Sequence, residues 1–238
     1  MPAGTSLQPR FDILGPFEPD AATGAAIDRV WDQMRRENPR LYDGPVLLAD
    51  REAVRAERLV CRRGGYKVLA AAAKLGLYVR ALGVQGVVLA KDADAEECIL
   101  LGRRGSETRI YAGMWENAPS GTVEPPRTGG SFVDAADFSG ALRAEGLEEL
   151  GVDLTRVRER WIALLDDAQA CSVDVVLRLD LPEPIDPRKT VCRVDDTNAW
   201  EYLDTAWVPT SRLKDWMSRS RDAISPPTIA LFRFLGWA

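Results

Sequence analysis

The chain has 238 residues, 46% hydrophobic and 28% charged, which is ordinary for a folded protein and enough for one sizeable domain or a domain with an extension. It contains no histidine, which excludes Ser-His-Asp and Cys-His devices, histidine-ligated zinc and imidazole acid–base chemistry. The net charge of −5 argues against nucleic acid binding through a broad basic surface.

Any catalysis must therefore use carboxylates, Lys, Tyr, Cys, Ser, Thr or a metal. No apolar run reaches the length of a membrane span, and the first fifteen residues lack the apolar core of a signal peptide. A cytoplasmic protein with no membrane partner is the expectation. The four cysteines, Cys61, Cys98, Cys171 and Cys192, include no CxxC pair. They read as small buried hydrophobes, and a four-thiolate zinc site would need atypical spacing.

Residues 1–20 are Pro-rich and read as irregular. Ala25–Arg36 has helical spacing, with Ile27, Val30, Trp31 and Met34 on one side, and Asn38-Pro39 ends it. Asp43-Gly44-Pro45 turns into a strand at Val46–Ala49, and a second strand is expected over Val54–Arg62. Gly64-Gly65 then turns into a helix at Tyr66–Leu75. Leu82–Ala90 and Glu97–Arg103 flank an acidic turn and form a hairpin. Trp115 follows, then a Pro119-Ser120-Gly121 corner and a Pro/Gly-rich loop through Gly130.

Asp134 or Asp137 caps a helix that runs to Leu150 and stops at Gly151. Trp161–Leu165, Val173–Leu179, Val191–Val194 and Ala206–Pro209 are further strands, with a charged, Pro-rich loop at 182–189. Helices are expected near Ser211–Met217 and over Thr228–Phe234. Mixed strands and helices of this kind imply an α/β or α+β sandwich.

The most informative string is Ala144-Glu145-Gly146-Leu147-Glu148-Glu149-Leu150-Gly151-Val152. Its glutamates lie at i, i+3 and i+4, so a helix puts all three on one face. Like charges so placed repel by roughly 0.2–0.5 kcal/mol per pair. Either the face is simply solvated, or the carboxylates collect a hard cation such as Mg²⁺, which takes oxygen ligands.

The string resembles the second half of the Nudix box, Arg-Glu-apolar-x-Glu-Glu-x-Gly-apolar. All three glutamates and the final Gly-apolar pair are kept, whereas Ala144 replaces the arginine and Gly146 an apolar residue. Trp115 with Pro119–Glu124 resembles the family's W-x-x-P-G-G-x-x-E segment. Glu201, six residues before Trp207-Val208-Pro209, resembles the acid preceding the family's W-V-P strand.

The front of the box departs from pattern. Counting back fifteen residues from Glu145 reaches Gly130, with Ala136 at the front glutamate position. The preferred register uses Gly121, needs a loop insertion of about nine residues, and puts Arg127 at that position. In either register the front glutamate is missing. An extended loop, no box arginine, Asp43-Gly44-Pro45 in an N-terminal extension and the Leu82-Gly83-Val84 strand start together resemble the UDP-glucose and UDP-galactose hydrolysing branch of the family.

The resemblance implies a Nudix-type α/β/α sandwich with a mixed sheet at 81–238 and an N-terminal extension, 1–80, packed on it. It implies Mg²⁺ or Mn²⁺ on Glu145, Glu148 and Glu149. Glu145 also serves to orient water, Glu149 joins the catalytic set, and Glu201 is a further ligand or general base. Arg103 or Arg104 pairs with phosphate, and Gly121 lines the substrate. The implied activity is hydrolysis of a nucleoside diphosphate-linked small molecule, a UDP-sugar first, to nucleoside monophosphate and sugar 1-phosphate. Another diphosphate (ADP-ribose, a dinucleotide or a coenzyme A derivative) and a non-catalytic nucleotide- or partner-binding protein remain open, and the family pattern also allows a homodimer.

Overall fold

The computed structural model describes residues 10–50, 59–127, 129–188, 201–220 and 223–238. The protein is α+β with mixed strand pairing. Its contacts divide into two compact units. One draws on Met1–Gly83, Thr122–Ser139 and Asp166–Val175; the other on Val84–Gly121, Gly140–Leu165 and Val176–Ala238. Among the described residues, no helix is long and apolar enough to cross a membrane.

In the first unit, β1 (Phe11–Pro16), β2 (Pro45–Asp50), β3 (Val60–Gly65) and β8 (Phe132–Val133) pair side by side. β1 runs parallel to β3, with Asp12 opposite Val60, and the other pairings are antiparallel. β2 also pairs with the start of β4 (Val79–Lys91), where Leu48 lies opposite Ala81.

Helix α1 (Ala21–Glu37) begins at Asp20, whose Oδ1 accepts from Thr23 N–H at 2.9 Å, and it buries Ile27 and Trp31. It meets α2 (Tyr66–Leu75) through an edge-on Trp31–Tyr66 contact with ring centroids 6.1 Å apart. Ile27, Val46, Leu48, Val68, Leu69, Ala71, Ala81 and Cys171 form this unit's core.

The Pro/Gly-rich loop is pinned from within the same unit. Arg63 donates from Nη1 to the Pro126 carbonyl (3.3 Å) and from Nη2 to that of Gly130 (2.5 Å).

In the second unit, β4 and β5 (Glu97–Arg104) form the expected hairpin, with Leu89 opposite Ile99. Its acidic turn is closed by Asp92, whose Oδ1 accepts from Asp94 N–H and Glu96 N–H, both at 2.9 Å. β5 is flanked by β6 (Trp115–Asn117) and by β11 (Tyr202–Pro209), both antiparallel. β7 is Ser120–Thr122, while β9 (Arg158–Asp167) pairs with β10 (Ser172–Asp180).

A 3₁₀ turn at Thr210–Arg212 leads into α4 (Leu213–Arg219), and α5 spans Pro226–Phe234 with proline in its first turn. Proline is tolerated there because the first helical N–H groups have no partner in the helix. The core joins Val87, Leu89, Ile99, Leu101, Val176 and Val208 to Leu213, Met217, Leu231 and Phe232 from the two helices. Trp115 belongs to this apolar packing, its ring edge-on to Trp216 at 5.7 Å.

Helix α3 (Ala135–Leu150) uses both candidate caps. Asp134 Oδ1 accepts from Ala136 N–H at 2.9 Å, and Asp137 Oδ2 accepts from Asp134 N–H at 2.9 Å, a reciprocal box. Gly151, at φ +64°, closes the helix and donates to the Leu147 carbonyl at 3.1 Å.

Three expectations change. Residues 11–16 are a strand, because β1 is stabilised by a parallel partner more than forty positions away, which local spacing does not reveal. Gly64-Gly65 ends β3 instead of forming a turn, since both pair with β2. The last strand starts at Tyr202, four residues before the expected start. The first part of the Val54–Arg62 strand and all of Val191–Val194 lie outside the described residues, as does Cys192. Cys61, Cys98 and Cys171 are buried, and burial pushes the Cys61 thiol up to about 12 and that of Cys98 to about 11. Cys61 and Cys98 are packed thiols, not thiolates.

Candidate functional site

The site can be built from the register of β5. Side chains two apart on a strand share a face, so Gly102 and Arg104 point one way and Arg103 the other. Arg103 is exposed and donates from Nε to the Gly113 carbonyl at 3.1 Å. Arg104 is half-buried and donates from Nη1 to Glu116 Oε1 at 2.6 Å and from Nε to the Ile110 carbonyl at 3.0 Å.

Gly102 lies opposite Glu116 of β6, and Arg104 lies opposite Tyr202 of β11. The Tyr202 ring crosses the space above Gly102. A Cβ on Gly102 would sit 2.5 and 2.6 Å from two of its carbons. From there the hydroxyl donates to Glu116 Oε1 at 3.0 Å. A register shift between Tyr202 and Asp204 marks a bulge where β11 begins, the kind of irregularity that re-aims side chains.

Helix α3 supplies the carboxylates. Leu142 and Leu150 are buried, which turns the Glu145–Glu149 edge inward and leaves Glu148 exposed. Glu149 is buried, only 6% exposed, and its Oε2 has no hydrogen-bond partner among the described residues. Burial, a hydrogen bond with Glu201 and the charges of Glu145, Glu201 and Glu116 push its carboxyl up to about 11. Burial likewise raises Glu116, despite Arg104 beside it, and lifts the Tyr202 hydroxyl well above its usual range. Arg104 is held in its charged form: burial opposes this, but Glu116, Tyr202 and Glu149 outweigh it.

Gly121 shows why this position lacks a side chain. A Cβ there would collide with Oε1 of Glu145. Gly130, the alternative register, instead faces Pro126, and Arg127 is exposed. The second departure from the family string also has a packing cause. A Cβ on Gly146 would lie 2.6 Å from Leu154 Cδ1 and 3.3 Å from the Val152 carbonyl oxygen, so an apolar side chain has no room.

The structure thus gathers Glu145, Glu149, Glu201, Arg104 and Gly121 in one unit, and leaves Glu148 and Arg103 on exposed positions. Three participants escape sequence reasoning: Glu116, Tyr202 and Ser120. The available signals are slight, namely the alternation that places Glu116 opposite in sense to Trp115 and Asn117, and Tyr202 directly following Glu201.

Among the described residues, no three His, Cys, Asp or Glu side chains stand close enough together to grip an ion as they are. The chemistry of the donors nonetheless fits a hard divalent cation. Its acids, Glu145, Glu149 and Glu201, are all carboxylates, and one buried oxygen of Glu149 has no partner among the described residues.

No protein-family model and no curated protein matches the chain. Solved structures that resemble it include a MutT protein from Methanosarcina mazei (15% identity, TM-score 0.44, covering 64% of this chain and 89% of that one). A Nudix hydrolase from Alicyclobacillus acidocaldarius is similar at 16% identity and TM-score 0.45, covering 64% and 89%. The Nudix domain of Shewanella oneidensis NrtR, complexed with ADP-ribose, is similar at 16% and 0.42, covering 64% and 86%. Likeness of this order assigns the chain neither a family nor an activity.

Proposed function

We propose that this chain is a divalent-metal-dependent hydrolase of the Nudix type. It would cleave the diphosphate bridge of a nucleoside diphosphate-linked small molecule, with a UDP-sugar as first substrate. The observation that supports this most is Glu149, a buried carboxylate with one oxygen unpartnered among the described residues, crowded by Glu145, Glu201 and Glu116. Uncompensated crowding of this kind costs stability unless a proton or a cation relieves it.

Glu145, Glu148, Glu149 and Glu201 are the residues that would hold Mg²⁺ or Mn²⁺. When bound, the ion would neutralise the diphosphate and stabilise charge on the oxygens of the breaking linkage. Water forms the new P–O bond, the bridging oxygen leaves with the other phosphate, and the released proton passes to a carboxylate. Glu145, half-exposed beside Gly121, orients that water, and Glu201 accepts the proton. Gly121, with no side chain, leaves room for the Glu145 carboxylate that rests against it. The segment 81–238 forms the hydrolase domain of this proposal, with 1–80 as an extension, in a cytoplasmic protein.

A panel of UDP-sugars, ADP-ribose, dinucleotides and coenzyme A derivatives, each with Mg²⁺ and with Mn²⁺, tests the reading. Release of UMP and sugar 1-phosphate, abolished in Glu149→Gln, is the expected result. Cleavage of a different diphosphate replaces the substrate and keeps the chemistry. No cleavage across the panel, with no divalent ion bound in calorimetry, would sink the enzymatic proposal.

A further inference from the structure

We infer that Glu116 is the positioning residue of the carboxylate site, and that its task is to hold Arg104 away from Glu149. The inference rests on the cation-site reading above.

One oxygen, Glu116 Oε1, accepts from three donors on three strands: Arg104 Nη1 at 2.6 Å, Tyr202 Oη at 3.0 Å and Ser120 Oγ at 3.4 Å. Each donor adjoins a working part of the site. Tyr202 follows Glu201, which hydrogen-bonds Glu149. Ser120 precedes Gly121, against which Glu145 rests. Arg104 is itself within electrostatic reach of Glu149. A single buried acceptor therefore fixes β5, β7 and β11 where their neighbours meet α3.

Charge decides what this arrangement does. Arg104 is a fixed cation within electrostatic reach of Glu149, whose Oε2 has no partner among the described residues, so the simplest pairing would be Arg104 with Glu149. That pairing would fill the place of a metal ion. Glu116 captures the guanidinium in a 2.6 Å ion pair, and the Ile110 carbonyl takes its Nε, so Glu149 is left for an external cation. Tyr202 and Ser120, both neutral donors, hold the Glu116 carboxylate in the position to do this.

The test is Mn²⁺ binding to the full chain, read by the EPR signal of free Mn²⁺. It is run at a temperature where circular dichroism shows every variant folded. Glu116→Gln should weaken binding by about 10- to 100-fold, the usual effect of losing an outer partner of a metal site. Tyr202→Phe should weaken it less. The distinguishing result is the double variant Glu116→Gln with Arg104→Gln, which removes the released competitor and should recover most of the lost affinity. A role confined to stability predicts no change in affinity among folded variants and no recovery. Wild-type affinity in Glu116→Gln, or a double variant no better than Glu116→Gln alone, would overturn the inference. If Glu116→Gln does not fold, wild-type affinity in Tyr202→Phe overturns it and weakened affinity supports it. Wild-type protein that binds no Mn²⁺ removes the cation-site reading itself, and this inference with it.

Discussion

Glu149→Gln, examined without metal, turns the crowding at the site into a measurable slope. Glu149 is buried, and in the folded chain its carboxyl is raised to about 11. An unfolded glutamate titrates near about 4.3. Between those values the folded protein keeps a proton that the unfolded chain has released. Stability must therefore fall as pH rises through that window, by about 1.4 kcal/mol per pH unit for one proton. From pH 6 to pH 8 the loss is a few kcal/mol.

Glutamine resembles the protonated acid in shape, can donate to Glu201, and carries no titrating proton. The variant should lack this component. Urea or thermal unfolding in EDTA at the two pH values measures it. Wild type should lose a few kcal/mol more than Glu149→Gln, a difference of several degrees in Tm for a chain of this size. Added Mg²⁺ should flatten the wild-type slope, because a cation replaces the proton as the relief of repulsion. Parallel wild-type and variant stabilities across this range would refute the reasoning, since Glu149 would then be ionised without cost.

Two further outcomes follow from glycine contacts. Gly121→Ala sets a Cβ against the Glu145 carboxylate, the mobile end of a side chain. The fold should survive while kcat falls roughly 100-fold, the scale of a misplaced reacting group; steady-state kinetics beside a melting curve decides. Gly146→Ala meets Leu154 at 2.6 Å within packed structure. It should destabilise by about 1–3 kcal/mol in urea titration despite alanine's better helix propensity, because overpacking outweighs that gain.

Local rules made much of this molecule readable. The hairpin at Leu82–Arg103 follows from alternating apolar residues around an acidic turn, and α3 from its Asp134 cap and terminal Gly151. The carboxylate string was readable for the same reason, since its spacing is a helix property. What stayed hidden depends on partners distant in sequence. β1 takes its identity from a parallel neighbour, and Glu116 from Arg104 and Tyr202, twelve and 86 positions away. Spacing placed Glu148 on the same helix face as Glu145 and Glu149. Burial splits them, because Leu142 and Leu150 set the rotation of the helix, leaving Glu149 inside and Glu148 outside. Gly146 looked like a defect in a motif, and Leu154 accounts for it as packing.

The most direct test of the account is ³¹P NMR of UDP-glucose incubated with the purified chain and Mg²⁺. The two coupled diphosphate resonances should give way to the separate signals of UMP and glucose 1-phosphate, and both EDTA and Glu149→Gln should stop the conversion. Diphosphate resonances unchanged with UDP-glucose, and with every other diphosphate of the panel, would contradict the claim that these carboxylates form a hydrolytic site.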